Sequence, residues 1–306
     1  MSATDVRIPG AFAAALDGRG PDGLSPADGV SGRDWLDGLP RLLDDLLDGW
    51  ALRPDGESRW GSCALVLPVR TGDDEPAALK VTWPHLEARA EHLALRAWDG
   101  DGAVRLLRAD PHRLALLLER LEPTDLTDVW VEEACETVGG LLARLDVPAI
   151  ARVPRLSAYA ARQAAAPDSP AVPHRYTDQA RHLAAELAAD ADVDARLLHT
   201  DLHYENVLAA ARLPWLAIDP KPMAGERAFE VAPLLWNRAD ADELGTGPAI
   251  RWSLRRRVEV VCEAAGIDEA RARAWSVVRV VDWARDQPPG SAASGLAVTI
   301  LKAMND

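Results

Sequence analysis

Apolar residues recur three and four positions apart through 33–52, where Trp35, Leu39, Leu42, Leu43, Leu46 and Leu47 share one side of a predicted helix. Gly38 and Pro40 stand inside that run and are expected to break it. A short apolar helix comes before it, and the Gly-, Pro- and Asp-rich stretch 17–32 reads as a loop. The period then shortens. "CALVLPVR" (63–70) and "AALKVTW" (77–83), joined by "TGDDEP", form a hairpin, and Pro68 predicts an edge position or a bulge. After Pro84 the helical period returns, with Leu86, Ala90, Leu93 and Ala97 on one face, until "GDG" ends it. A second hairpin follows: "VRLLR", the turn "ADPHR", and "LALLLERL" (114–121).

Beyond "EPTDLTD" the texture changes. Val131, Ala134, Cys135, Val138, Leu141, Leu142 and Leu145 give an amphipathic helix, while the Pro- and Ala-rich 147–173 is ambiguous. A helix is expected over 176–189 with Thr177 as its N-cap. The stretch "LLHTDLHYENVLAAARLPWLAIDPK" reads as a strand (197–199), a polar loop, and a hairpin (206–210, 215–219). The remainder is helical, over 228–239, 250–265, 269–286 and 292–304. The fold class is therefore α+β: a small antiparallel sheet with one inserted helix (1–120), then a larger, mainly helical part (121–306), the boundary falling within 119–123.

Length and composition agree with two soluble domains, at 306 residues, 48% hydrophobic and 27% charged. The net charge of -14 argues against nucleic acid as the main partner and permits a cationic ligand. Cys63, Cys135 and Cys262 are far apart and form no C-x-x-C pair, which disfavours a disulfide framework or zinc ribbon. The opening residues lack a basic n-region and a long apolar h-region, and no run is long enough for a membrane span. A cytoplasmic protein with no membrane partner is the expectation.

Three chemistries compete for the stretch 197–221. In the first, His199-x-Asp201-x-His203 lies on a strand, whose alternation puts all three side chains on one face as metal ligands of a hydrolase. That reading leaves Asn206 and Asp219 without a task, and the remaining histidines (His85, His92, His112, His174 and His182) form no complementary cluster. The second is phosphoryl transfer, which uses the whole set: an aspartate to orient an acceptor hydroxyl, and an asparagine with a second aspartate to hold magnesium. A hairpin that starts at Asn206 and ends at Asp219 brings those oxygens to one ion. The third is a plain surface loop.

"LHTDLHYEN" fits H-x-D-x-x-x-x-N, and with "AIDPK" the stretch resembles the protein-kinase-like aminoglycoside phosphotransferase superfamily. "HTDLHYENVL … PWLAIDPKPMAGERAFEVAPLLWNR" is most similar to its streptomycin 6-phosphotransferase and hydroxyurea-resistance kinase branch, over roughly 55–290. The resemblance implies a bilobal protein-kinase-like fold and an ATP- and Mg²⁺-dependent transfer of phosphate to a small molecule, conferring antibiotic resistance, by a monomer or homodimer. It assigns Asp201 as the catalytic residue and Asn206 and Asp219 as metal ligands. It makes Lys80 of "ALKV" the strand lysine at the nucleotide phosphates, with Glu91, in preference to Glu87, as its partner. "DGESRWGSCALV" (55–66) becomes the nucleotide-covering loop, with Ser62 where a P-loop would need lysine, and "LLLERLEP" the hinge, Glu119 to Leu121 reaching adenine. Two departures stand out: Thr200 where the superfamily usually has glycine, and Glu230 where an aspartate commonly anchors the loop. For a cationic aminocyclitol acceptor the candidates are His203, Glu226 and Asp282, among further carboxylates at Asp240, Asp242, Glu243 and Asp286 and tryptophans Trp236, Trp252 and Trp283. A kinase of hydroxyurea or of another small metabolite is the alternative acceptor reading; a nucleotide-binding pseudoenzyme is the competing class, and intact Lys80, Asp201, Asn206 and Asp219 argue against it.

Overall fold

Alternation along two neighbouring strands builds the first half of the molecule. The computed structural model describes residues 6–20, 29–239, 244–245 and 247–306. They fall into two units, 1–100 with 104–121, and 101–103 with 122–306.

In the first unit, β3 (Ala64–Arg70) and β4 (Pro76–Thr82) pair so that Leu65, Leu67 and Val69 lie opposite Val81, Leu79 and Ala77. These six side chains are all buried on one face. β6 (Ala115–Glu119) adds Ala115 and Leu117 to that face, and β5 (Leu106–Asp110) closes one edge. At the other edge, β1 (Arg53–Pro54) and β2 (Arg59–Trp60) share β3 as partner, so the antiparallel sheet has six strands among the described residues.

Pro68 sits in regular register with Ala78, without a bulge. Its ring nitrogen faces the gap between β1 and β2, where its carbonyl accepts from Asp55 N at 2.8 Å. The missing donor therefore breaks no ladder bond.

Two helices cover the apolar face: α1 (Gly10–Asp17) with Phe12 and Leu16, and α2 (Gly32–Gly49) with Trp35, Leu39, Leu43, Leu46 and Leu47. Each such leucine, fully buried, contributes about 1.5–3 kcal/mol of transfer free energy. The expected break in α2 does not occur. Gly38 and Pro40 lie on its solvent side, where water can take the carbonyl that proline leaves unpaired. The Ser31 side chain caps the helix, accepting from Asp34 N at 3.1 Å.

The helix expected after Pro84 is shorter and turned from its predicted face. A 3₁₀ turn (Glu87–Ala90) leads into α3 (Glu91–Trp98), which buries Glu91, Ala94, Leu95 and Trp98 and leaves Leu86 and Ala97 exposed. The size of Trp98 and an ion pair made by Glu91 outweigh the small apolar positions counted in the sequence.

The second unit is helical: α4 (Val131–Arg144), α5 (Leu156–Ala164), α6 (His174–Leu187), α7 (Pro233–Trp236), α8 (Pro248–Ala265), α9 (Glu269–Arg285) and α10 (Ala292–Asn305). α4 packs on α8, where a Cβ on Gly139 would come within 2.6 Å of Ala264 Cβ and 2.9 Å of Val261 O, so only glycine permits the approach. α5 resolves part of the ambiguous 147–173. Thr177 is not a cap: α6 starts at His174, and Thr177 is buried in its first turn. The helix expected over 228–239 is a 3₁₀ turn (Arg227–Val231) followed by α7, which ends at Trp236.

Two small antiparallel pairs complete this unit. β7 (Arg196–Leu198) pairs with β10 (Met223–Gly225), a strand the sequence reading did not separate, and β8 (Val207–Ala209) pairs with β9 (Trp215–Ala217). Among the described residues no helix is long and apolar enough to cross a membrane. Cys63, Cys135 and Cys262 form no disulfide.

Candidate active site

On β4, Leu79 and Val81 point into the core, so Lys80 must point to the opposite face, toward α3. There Nζ donates to both oxygens of Glu91, at 2.7 and 2.8 Å. Both residues are buried, at 5% and 3% exposure, whereas Glu87 is exposed. Glu91 is the first residue of its helix, where the dipole favours a carboxylate.

Ser62 is exposed at the tip of the β2–β3 hairpin, which Gly61 N closes by donating to Ala64 O at 3.0 Å. Glu119 is engaged locally. Its Oε1 accepts from Arg105 N at 2.7 Å and its own amide donates to Arg105 O at 3.0 Å. Its amide is thus committed to Arg105. Leu121 is half-buried at the end of this unit.

In the second unit, β7 stops at Leu198 and the chain turns sharply. Thr200 takes φ 63°, a left-handed value that is strained for a β-branched residue. Four hydrogen bonds hold His199 and Thr200 there. The amides of His199 and Thr200 donate to Glu230 Oε1 and Oε2 at 2.6 and 2.7 Å. Thr200 Oγ1 donates to Lys221 O at 2.6 Å, and Arg279 Nη2 donates to Thr200 O at 2.8 Å. Glu230 therefore spans both amides of the turn, so the longer side chain anchors the loop.

The His199 ring is fully enclosed. Nε2 donates to Ile218 O at 2.9 Å and Nδ1 accepts from Asp201 N at 3.3 Å. Burial pushes its pKa down to about 4, so the neutral ring is the form that makes both bonds. This arrangement removes the metal-hydrolase reading. Both His199 nitrogens are committed to backbone, and the left-handed Thr200 destroys the strand alternation that would align His199, Asp201 and His203. No group of three His, Cys, Asp or Glu among the described residues has ligand geometry.

The β8–β9 pair brings Asn206 to Asp219. Ile218 N donates to Asn206 O at 2.9 Å, and Asp219 follows at φ 55°. The Asn206 amide nitrogen faces Asp201 O at 2.8 Å, Asp201 Oδ2 at 3.4 Å and His203 Nε2 at 3.2 Å. Its donors are thereby used on the loop, which leaves Oδ1 as a ligand atom. Asn206 Oδ1 and the Asp219 carboxylate are hard oxygen donors, a set suited to Mg²⁺.

His203 lies in this cluster, 4.0 Å from Asp201 Oδ2, and burial holds its pKa below the ordinary value. Asp282, half-exposed, accepts from Tyr159 Oη at 2.9 Å and from Arg285 Nη1 at 3.0 Å, and lies one turn along α9 from Arg279, which binds the loop. Near it Trp236 and Trp283 stack at 5.5 Å, with the Arg279 guanidinium 5.5 Å from the Trp236 centroid.

Glu226 is elsewhere. It follows β10 at the Arg196 end of β7, the end away from the loop, with its oxygens bonded to Arg271 and Trp275. There its carboxylate is engaged in fixing α9. Asp240, Asp242 and Glu243 lie outside the described residues.

Two residues escaped the sequence reading. Lys221 Nζ bonds Asp201 Oδ2 directly. Its signal in the sequence is the lysine of "IDPK", two residues after Asp219. Arg279 carries no signal in the sequence, because only the packing of α9 brings it to Thr200.

A family model, aminoglycoside/hydroxyurea antibiotic resistance kinase, matches residues 49–286. The chain belongs to this kinase family. It is 41% identical over 288 residues to streptomycin 6-kinase of Streptomyces glaucescens, covering 90% of this chain and 92% of that one. It is 42% identical over 262 residues to hydroxyurea phosphotransferase of Kitasatospora aureofaciens, covering 83% and 74%. Among solved structures, a thermostable mutant of aminoglycoside phosphotransferase APH(4)-Ia in its apo form matches with a TM-score of 0.55 at 16% identity, over 84% of this chain and 97% of that one. The same protein in a ternary complex with ADP and hygromycin B matches with a TM-score of 0.51 at 15% identity, over the same shares. At such identities the likeness shows the fold, that of the protein-kinase-like phosphotransferases. As a member of the family, this kinase is a phosphotransferase acting on small molecules.

Proposed function

We propose that this kinase transfers the γ-phosphate of ATP, with Mg²⁺, to a ring hydroxyl of a streptomycin-like aminocyclitol. One observation carries the reading: the neutral His199 ring ties the amide of Asp201 to the carbonyl of Ile218, the neighbour of Asp219. The group that receives the acceptor hydroxyl and the group that faces the phosphates are thereby fixed to each other through a single side chain.

In this reading Asp201 orients the hydroxyl and takes its proton as the acceptor oxygen bonds to Pγ. The Pγ–O bond to the β-phosphate breaks with its electron pair, which leaves on ADP. Asn206 Oδ1 and Asp219 would hold Mg²⁺, which neutralises phosphate oxygens when bound. Lys80, positioned by Glu91, would contact the nucleotide phosphates. The similarity to streptomycin 6-kinases over 85–90% of this chain supports the acceptor class, as does the net charge of -14, which suits a guanidinium-bearing ligand. The Trp236–Trp283 pair, beside the loop, supplies aromatic faces for such a ligand, and the half-exposed Asp282, already paired with Arg285 and Tyr159, adds negative charge next to them.

The comparable identity to a hydroxyurea phosphotransferase favours a second acceptor, hydroxyurea. Incubation with ATP and Mg²⁺ and each compound in turn, followed by mass spectrometry, decides between them. A mass gain of one phosphate on streptomycin is expected. Phosphate on hydroxyurea alone would overturn the aminocyclitol reading.

A further inference from the structure

We propose that Lys221 is a catalytic residue, a cation that passes from Asp201 to the phosphoryl group during transfer; this rests on the phosphotransferase reading above. Lys221 Nζ bonds Asp201 Oδ2, and the two side chains are 32% and 22% exposed. A partly exposed pair of this kind contributes only about 0–1 kcal/mol to stability. Folding alone gives little reason to place a cation on the acceptor-binding carboxylate.

The backbone of Lys221 is fixed from both sides. Its amide donates to His199 O at 2.9 Å and its carbonyl accepts from Thr200 Oγ1 at 2.6 Å. The lysine stem therefore starts from the two residues that immediately precede Asp201, and Nζ is delivered to Oδ2 by a rigid strap. Asn206 Nδ2 approaches the same oxygen at 3.4 Å. Oδ2 is thus the occupied oxygen and Oδ1 the one left for the acceptor hydroxyl.

The consequence is electrostatic. Before transfer, Lys221 neutralises the carboxylate. As the acceptor O–H breaks, its proton goes to Asp201 Oδ1, the O–Pγ bond forms, and the bond from Pγ to the bridging oxygen breaks onto ADP. Asp201 has then lost its charge, and Lys221 is left beside a group whose negative charge is spread over three oxygens. A cation hydrogen-bonded to the base is within roughly 6 Å of the atom that base deprotonates, given hydrogen bonds of about 3 Å. Its interaction with the phosphoryl oxygens strengthens as its hold on Asp201 weakens. Only an interaction that grows in this way lowers the barrier.

The test compares the full chain with Lys221→Met and Lys221→Arg. ADP release is measured with streptomycin as the acceptor, using ATP and then ATPγS, together with nucleotide affinity and melting temperature. We expect Lys221→Met to lose about 10²-fold in kcat, as for removal of one charge-stabilising donor, with nucleotide affinity and melting temperature nearly unchanged. Lys221→Arg should recover part of the loss. The preference for ATP over ATPγS should shrink in Lys221→Met, because the contact that senses the γ-oxygens is gone. A kcat within threefold of wild type, or a loss that keeps the wild-type ATP-to-ATPγS ratio, would overturn the proposal; the second result would show that the lysine acts only through Asp201. If wild type releases no ADP in response to streptomycin, the acceptor reading fails on its own. The lysine is then judged by the same two criteria on the slow acceptor-free hydrolysis of ATP.

Discussion

Glu230 Oε2 accepts the amide of Thr200 at 2.7 Å while Thr200 holds the left-handed φ of 63°. Left-handed strain costs about 1–3 kcal/mol, and the Thr200 hydroxyl bond to Lys221 O returns about 1 kcal/mol. Thr200→Gly removes both and adds roughly 0.5–1 kcal/mol of chain entropy to the unfolded state, so it should change stability by no more than about 1 kcal/mol. Thr200→Val keeps the strain, loses the bond, and should destabilise by about 1–3 kcal/mol. Urea denaturation distinguishes the two; equal losses would show that the backbone angle carries no cost.

Glu230 and His199 titrate with opposite effects on stability. Burial raises Glu230 from its ordinary 4.5 to about 7, so its contribution is full below about pH 4.5 and is lost as pH rises through 7. Burial lowers His199 from 6.5 to about 4, so its contribution is full above about pH 6.5 and is lost as pH falls through 4. Each amounts to on the order of 3 kcal/mol. They oppose one another between about pH 4.5 and 6.5, where the wild-type profile should be nearly flat from these two groups. Glu230→Gln should uncover a rise in unfolding free energy with pH across that window. A profile parallel to wild type would remove Glu230 as the titrating group.

Asp201→Asn should reduce phosphoryl transfer by about 10²-fold or more while ATP still binds, since the residue is assigned to the acceptor and not to the nucleotide. Parallel measurement of kcat and nucleotide affinity checks this. Near-normal turnover would disprove the assignment.

Asp219→Ala should be more damaging than Asn206→Ala, because the carboxylate supplies charge to Mg²⁺ and the amide only an oxygen. Raising Mg²⁺ should restore part of the activity of Asn206→Ala. Identical Mg²⁺ titrations for wild type and both variants would exclude these side chains as ligands.

Lys80→Met leaves Glu91 buried without its cation, and breaking such a pair costs about 3–5 kcal/mol. Adding Glu91→Leu should return most of that stability while ATP affinity stays low. Recovery of both together would mean that Lys80 serves the fold and not the nucleotide.

Much of the molecule was legible along the chain, because local periodicity reports local burial. The alternation of Leu65, Leu67 and Val69 marked one sheet face, and the pairing of a strand lysine with Glu91 followed from the family pattern. Asp201, Asn206 and Asp219 could be singled out because loop residue types are chosen for chemistry and not for packing. Other features depend on who lies opposite whom, which a one-dimensional pattern does not carry. α3 turned to bury Trp98 and Glu91, and the partner of Glu91, Lys80, is on the sheet. Pro40 is tolerated because its side of α2 faces water. Glu226 and Asp282 are alike in the sequence and each is bound to an arginine and an aromatic side chain, but Glu226 is fixed at the end of β7 away from the loop, whereas Asp282 lies one turn from the arginine that holds the loop. Lys221 is twenty residues from Asp201, and only the return of the chain after β9 delivers its charge to that carboxylate. Sequence determined the elements and the reactive residue types; tertiary structure decided which charges are spent on one another and which remain for a ligand, because charge pairing is set by distance in space.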